Sequence, residues 1–517
     1  MTTQINRRSR LFTLVLISAT IVVLPVPSFA QSRKLGTIGP PPRKDPQRQT
    51  SAEGLPPLPL PATALRRSEP KAEPAPPTFI ARLAYGDTQD FMPNPGDLDN
   101  LMRHVRSQID AWYGHTLVKL DELVTLHEQG KTYQVPAIYM VGYEPFEFTL
   151  QQRAALRTYL IDGGTLIGMA ALGSEQFNAS FKNEMQAIFP HRRFDVLQVD
   201  HPVMRAYYRY ANVHYFAVSQ GAAAQSEGPP VLYGLNIAAR TAVIHCPYDM
   251  TCGWDQFIAP EAPRRGDVRP SVTQAVVPED AIRLGINMIA YVAAQRRFAK
   301  TQAQTRQIVG QVDQPRAALT IAQLRHHGDW NPDPNSMYQL IRLASQHMSL
   351  PVRFDFKPVD ADISQLADTP VLIMTGMDEP RFSSEEIDAL RRHLRAGGFL
   401  FINNTSGFNK FDREVRELVK QLYPNGALVP VPADHPLLHA LYDIDQMRDA
   451  STLQPRPAEL EAIFTQGVDG AGRAAIVYSR NDTFAMLKGV HDPYANAYDA
   501  DSARKLALNV LCYAMGN

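Results

Sequence analysis

The chain repeats itself, and that constrains its fold more than any other feature. Gly142 and Gly376 stand 234 residues apart, and the same separation links Gly163-Gly164 to Gly397-Gly398, Gly173 to Gly407 and Pro190 to Pro424. It also links Asp200-His201-Pro202 to Asp434-His435-Pro436. Upstream, Ile80-Ala81-Arg82-Leu83 answers Ile321-Ala322-Gln323-Leu324, and Gly86-Asp87 answers Gly328-Asp329. Downstream, Asp249 answers Asp482, and Asn287 and Tyr291 answer Asn509 and Tyr513. A register held without a gap from Gly142 to Pro202 marks two copies of one folding unit. The copies are expected at residues 78–298 and 318–517, with an interdomain linker at 299–317 inside the polar, Gln-rich stretch Arg297–Arg316.

Within each copy, short apolar runs alternate with helical patterns. Pro370–Thr375 reads as a buried strand. Ser383 then opens a helix as its N-cap, with Glu386 completing a capping box and Phe382 positioned to staple onto Ile387. Ile387, Leu390 and Leu394 share one face, Gly397-Gly398 stops the helix, and Phe399–Ile402 is the next strand. The first copy repeats the plan with strand Ala137–Val141, the box Thr149/Gln152, the stop Gly163-Gly164 and strand Thr165–Met169. First strands Phe79–Leu83 and Thr320–Leu324 and closing helices Glu279–Ala294 and Asp501–Met515 complete the units. Continuously apolar strands separated by helices imply sheets covered on both faces. The expected fold class is α/β: two tandem, homologous, three-layer, doubly wound domains with mostly parallel sheets. Ligands in such sheets bind beyond the C-terminal strand ends, near the topological switch point.

The first thirty residues read as a secretory signal. Arg7, Arg8 and Arg10 precede an apolar run from Leu11 to Leu24, and Pro25–Ala30 ends on small residues suited to cleavage after Ala30. That run is shorter than the roughly 20 residues of a spanning helix; the alternative is an uncleaved anchor. The adjacent arginines hint at twin-arginine export, although Arg10 stands where that signal prefers an apolar residue. Residues 31–77 carry Gly39-Pro40-Pro41-Pro42 and Leu55–Pro61, and proline at this density excludes helix and sheet ladder. This segment is expected to be a disordered spacer, with a recognition segment as the alternative. The protein is thus placed outside the cytoplasm, periplasmic or extracellular, with no stable membrane span once the signal is cut. Lys+Arg and Asp+Glu balance at 52 each, so no net field draws the molecule to nucleic acid. No phosphate loop, HExxH pair or basic-aromatic nucleic-acid signature occurs.

Ala81-Arg82-Leu83-Ala84-Tyr85-Gly86 and Cys252-Gly253-Trp254-Asp255 of the first copy resemble blocks of an exported bacterial family known as domain of unknown function 4159. So do Gly397–Phe401 and Asp434-His435-Pro436-Leu437 of the second. The resemblance covers nearly everything after residue 78. It implies a class I glutamine amidotransferase-like, flavodoxin-like sheet, and partners in an envelope complex with ATPase and von Willebrand-type components. No activity and no cofactor come with it.

In amidotransferase-like folds the nucleophile sits in a sharp turn after a central strand. The corresponding stretches are Ala170-Ala171-Leu172-Gly173 and Asn404-Thr405-Ser406-Gly407. The first offers no heteroatom nucleophile. The second offers Thr405 or Ser406, with the alternative of a tight turn whose hydroxyls cap the next helix. In the repeated Asp-His-Pro, the histidine could be a general base or ligand contact. Alternatively the proline holds histidine extended while the aspartate makes a turn bond. Candidate catalytic groups are therefore His201, His435, Asp249 and Asp482. Cys246 and Cys252, six apart in an exported chain, suit a disulfide better than a metal pair. A metal reading would add His245, Asp249 and Asp255, but the spacing fits no zinc signature, so no metal is expected. Cys512 reads as a buried small hydrophobe.

The copies differ around the presumed mouth. The first keeps Cys-Gly-Trp-Asp but has Gly168-Met169-Ala170 where the second has Ile402-Asn403-Asn404. If both elements face one pocket, each copy holds half of it, and the candidate ligand-binding residues are Asp200, His201, Trp254, Asp255, Asn403, Asn404, Asp434 and His435. Trp112-Tyr113, Tyr207–Tyr210 and Tyr215-Phe216 could stack on sugars or peptides, or simply pack. The leading expectation is a non-catalytic module binding an envelope ligand or protein partner. The alternative is a hydrolase acting on an envelope glycan, peptide or amide through the Asp-His-Pro histidines and nearby carboxylates.

Overall fold

The computed structural model describes residues 78–86, 89–109, 111–219, 222–255, 272–304, 318–348, 353–466, 472–488 and 492–516. The expected signal and proline-rich spacer, Asp87 and most of the joining stretch lie outside these residues. In the first copy the main sheet is built from β1 (Phe79–Ala84), β2 (Gly114–Lys119), β3 (Ala137–Gly142), β4 (Thr165–Ala170), β5 (Asp195–Val196), β8 (Tyr233–Ile237) and β9 (Arg240–Cys246). Their order is β2-β1-β3-β4-β9-β8-β5. The second copy repeats this order as β12-β11-β13-β14-β19-β18-β15. Here β11 is Ala318–Leu324, β12 Arg353–Val359, β13 Val371–Gly376, β14 Phe399–Asn404, β15 Val429–Pro430, β18 Leu460–Gln466 and β19 Gly472–Ser479. The first five strands of each order run parallel, and β8 and β18 turn back antiparallel.

Helices cover both faces because β3, β4, β13 and β14 are buried along their whole length. On one face of the first sheet lie α1 (Asp97–Ile109) and α6 (Pro278–Gln304); on the other lie α2 (Glu122–Glu128), α3 (Leu150–Ile161) and α4 (Glu175–Ile188). The second sheet carries α7 (Pro334–His347) and α11 (Ala500–Gly516) against α8 (Ile363–Leu366), α9 (Ser384–Arg395) and α10 (Asn409–Leu422). Both capping boxes form, Thr149 with Gln152 and Ser383 with Glu386. Ile387 belongs to the core, with Phe382 packed against it. Asn287 and Asn509 match for a physical reason. Each side-chain oxygen accepts two amides after the Asp-His-Pro turn, from Tyr207 and Tyr208 in one copy and from Leu441 and Tyr442 in the other.

The copies differ in their insertions. The first adds an antiparallel sheet of β6 (Val213–Ser219), β7 (Ala222–Gly228) and β10 (Val272–Val276), and a short helix α5 (Thr251–Trp254). Among the described residues the second adds the pair β16 (Met447–Arg448) and β17 (Pro455–Arg456). The closing helix of the first copy also outruns its expected end at Ala294 and continues to Gln304. Phe298 and Ala299 extend its buried face, and Phe298 clusters with Ala239 and with Met377 of the second copy. Burial between the copies thus carries the helix through residues that look polar in sequence.

Candidate functional site

The sharp turns after β4 and β14 are built alike. Leu172 and Ser406 occupy the same place with φ of 55° and 63°, a left-handed conformation that costs a residue with a side chain about 1 kcal/mol or more. A buried carboxylate holds each one. Asp249 Oδ2 accepts the Leu172 amide at 2.7 Å, and Asp482 Oδ2 accepts the Ser406 amide at 2.7 Å. The second oxygen caps the following turn: Asp249 Oδ1 takes the amides of Thr251 and Cys252, and Asp482 Oδ1 takes those of Phe484 and Ala485. Burial raises the Asp482 carboxyl above its usual range despite these donors. Gly173 and Gly407 follow at φ of 71° and 66°, and a Cβ there would stand 2.7 Å from the Cβ of Gln274 or Asn496. The hydroxyls of Thr405 and Ser406 do not cap α10, whose N-cap Phe408 has no side-chain bond. In the first copy Ser174 does that work, accepting the Phe177 amide.

The Asp-His-Pro turns invert the expected division of labour. His201 and His435 are extended (φ −60° and −69°), as proline requires, but the imidazole makes the turn bond, not the aspartate. Nδ1 of each accepts the amide two residues on, from Val203 and from Leu437, at 3.2 Å. His201 Nε2 meets Thr241 Oγ1 at 2.9 Å, its ring lies between Tyr291 and Phe408, and burial pushes it down to about 3. His435 packs against Phe464 and Tyr513 and is lowered by burial as well. Neither ring pairs with a carboxylate among the described residues. Asp200 accepts from Asn409 of the second copy at 2.6 Å, whereas Asp434 is exposed.

The expected disulfide is absent, since Cys246 and Cys252 are free and buried. Cys246 closes β9 inside the core, where burial pushes its thiol up to about 12. Cys252 sits in α5 and turns its Sγ to Asp249 Oδ2 at 3.3 Å. The carboxylate that organises this loop therefore engages the second sulfur. Trp254, 1% exposed, packs on Tyr139 and donates from Nε1 to Ala281 O at 2.8 Å. Asp255 accepts from Asn100 at 2.9 Å, and burial raises its pKa. Asn403 bridges Asp482 and the Thr483 amide, and Asn404 donates to Phe408 O. Of the predicted residues, Asp200 and His201 line a cleft shared with Asp378, Phe408 and Lys410. Its free space is about 50 Å³, room for a few waters. The Cys-Gly-Trp-Asp and Asn-Asn elements are not brought together in it.

The open site lies where the strand order reverses. In the first copy the gap between the ends of β1 and β3 is filled. Tyr85 donates to Val141 O at 2.9 Å beneath Phe91, Phe146, Phe148 and Phe177, and Asp90 ties down the amides of Tyr143 and Glu144. In the second copy His326 replaces Tyr85 and meets Thr375 O, the counterpart of Val141 O, at 3.0 Å. Its Nδ1 accepts the Gly328 amide, so the ring is neutral with its proton on Nε2, and burial pushes it down to about 4. Beside this ring lies a groove of about 700 Å³, within the roughly 300–1,000 Å³ of ligand pockets. One wall is His326, His327, Gly328, Trp330 and Arg381; the other is Gln186 and Pro190–Asp195 of the first copy. The rim is charged. Arg192 pairs with Asp329 at 2.9 Å, and Arg193 with Glu379 at 2.7 Å and Asp195 at 2.8 Å. Lys410 reaches Asp378 at 2.8 Å and Asp195 at 3.5 Å.

Sequence reasoning located this crevice in principle and met Pro190 and Gly328 as repeat positions, but named none of its residues as a site candidate, because the loops after β1 and β11 differ in content. It also missed the buried pairs His245–Asn178 (2.6 Å) and Tyr478–Asp412 (3.0 Å). The 234-residue register aligns Asn178 with Asp412, a signal that could have found them. Among the described residues no group of three or more His, Cys, Asp or Glu is placed to hold a metal ion, and no helix is long and apolar enough to cross a membrane.

A family model described as Domain of unknown function (DUF4159) matches the chain twice, over residues 79–293 and 320–515. No curated protein matches it. With both clamped turns and both Asp-His-Pro elements inside the matched residues, the chain belongs to that family as two tandem members in one polypeptide.

Proposed function

We propose that the protein is an exported, non-catalytic binding module of the bacterial cell envelope, which takes a small ligand or a partner protein in the crevice of its second copy. The observation that carries this reading is the contrast between the reactive positions and the crevice. Leu172 and Ser406 are buried, with their amides clamped by carboxylates that are thereby occupied, and the histidines of the Asp-His-Pro turns are spent on amides. The switch-point groove stays open on the side where doubly wound sheets bind ligands. Export is supported by the basic start and apolar run ahead of Ala30, and residues 31–77 would serve as a proline-rich spacer. Screening the purified chain, begun at Gln31, against envelope metabolites and divalent metals tests the reading. A ligand of the folded state raises the melting temperature, and Gln186→Trp, which fills the groove, abolishes that rise. Shifts that survive Gln186→Trp, or no shift at all, would refute it.

A second reading, hydrolysis of an envelope glycan, peptide or amide, draws on one observation. Ser406 sits at positive φ between β14 and α10, the posture of strand–turn–helix nucleophiles. A fluorophosphonate adduct at Ser406, lost in Ser406→Ala, would establish it.

A further inference from the structure

We propose that the crevice between the copies binds a small, multiply charged anion, a phosphate- or carboxylate-bearing molecule held by both copies at once. This rests on the binding reading above and names its ligand class. The duplication supplies the control. In the 234-residue register His191, Arg192 and Arg193 stand opposite Asn425, Gly426 and Ala427, and Arg381 stands opposite Glu147. With Gly86 answering Gly328 and His326 in the place of Tyr85, His327 is an extra residue of the second copy with no counterpart in the first. The three arginines and His191 therefore have neutral or acidic counterparts, although Lys420 stands opposite Gln186 and the twin surface carries Arg413, Arg416 and Lys420 among Glu414 and Glu417.

Holding the copies together accounts for part of this set. Arg192 and Arg193 cross to Asp329 and Glu379. Arg381 does not cross. Its Nη2 donates to His327 O at 2.7 Å, and no carboxylate pairs with it among the described residues. His327 faces Glu386 at 3.0 Å, and His191 is exposed at the opposite wall. Among the described residues Asp195 is the one carboxylate in the groove's lining, and Arg193 and Lys410 already engage it. A planar fork such as Arg381 suits paired oxygens of phosphate or carboxylate, and Trp330 and Phe194 give the body of such a ligand apolar walls.

Calorimetric titration of the mature chain with inorganic pyrophosphate and with citrate, at matched ionic strength and with glucose as the neutral control, tests the proposal. Saturable binding of either anion is expected, pyrophosphate indicating a phosphate ligand and citrate a carboxylate. Arg381→Ala should weaken it about tenfold or more, while Arg391→Ala, whose guanidinium sits on Asp388 and the Gln421 carbonyl and does not line the groove, leaves it unchanged. Circular dichroism of both variants checks that the fold persists. No saturable binding of either anion, or equal binding by Arg381→Ala, would overturn the proposal. If a neutral metabolite then still raises the melting temperature in a Gln186→Trp-sensitive way, the binding reading stands without the anion. If nothing does, both fall.

Discussion

Asp482 accepts the main-chain amide of Ser406 at 2.7 Å, and the first copy repeats this bond between Asp249 and Leu172 at the same distance. The side chain in the turn has changed from hydroxyl to isobutyl, while the carboxylate beneath has not. A backbone bond is indifferent to the side chain it fixes, so the same clamp holds serine in one copy and leucine in the other.

Asp482→Ala strips acceptors from the Ser406, Phe484 and Ala485 amides and from Asn403 Nδ2, all buried. The expected cost is about 3 kcal/mol or more in urea unfolding. A loss under about 1 kcal/mol would show that the clamp is not structural.

His245 is enclosed, stacked on Phe181 with ring centroids 4.2 Å apart, and pushed down from 6.5 to about 3, by burial first and the Lys182 charge second. The unfolded chain takes up this proton near pH 6.5 and the fold does not. The stability contribution is therefore complete above about 6.5 and is lost as pH falls toward 3. His245→Gln should be less stable near neutrality but flatter across this window. Parallel pH–stability curves for the two proteins would contradict the assignment.

Asp492 behaves with the opposite sign. Burial raises its pKa from 3.8 to about 6, although Tyr494 N and Gln295 Nε2 donate to it. The fold holds this proton more tightly than the unfolded chain, so stability declines as pH rises from 3.8 to about 6 and is level above. Relative to Asp492→Asn, the wild type should lose up to about 3 kcal/mol over that interval. An unchanged difference between the two proteins from pH 4 to 6 would place this carboxylate in water.

All three cysteines are expected to alkylate in denaturant without reductant. In the native protein Cys246, with its thiol near 12, should resist the same reagent. An intact mass lower by two hydrogens, or two sites refusing reagent after unfolding, would restore the Cys246–Cys252 link.

The thiols show where one-dimensional reasoning ends. Spacing and compartment suggest a bond between Cys246 and Cys252, yet the choice belonged to Asp249, which engages the second sulfur, and to the core that encloses the first. The helix extension to Gln304 has the same origin. Phe298 looks isolated among polar residues until Met377 of the other copy is packed against it.

The sequence by itself determined what depends on neighbours along the chain and on the repeat: two copies, strands buried on both faces, and capping boxes at Thr149 and Ser383. Those follow from apolar period and cap chemistry, which act over a few residues. Tertiary structure alone decided which crevice closes and which stays open. Tyr85 and His326 bond to equivalent carbonyls at the two switch points, but the groove beside His326 is walled by Arg193, which meets Glu379 across 186 residues of chain. No local pattern encodes such a contact, because its energy appears only once both sheets exist and one copy's loop is laid across the other's strand ends.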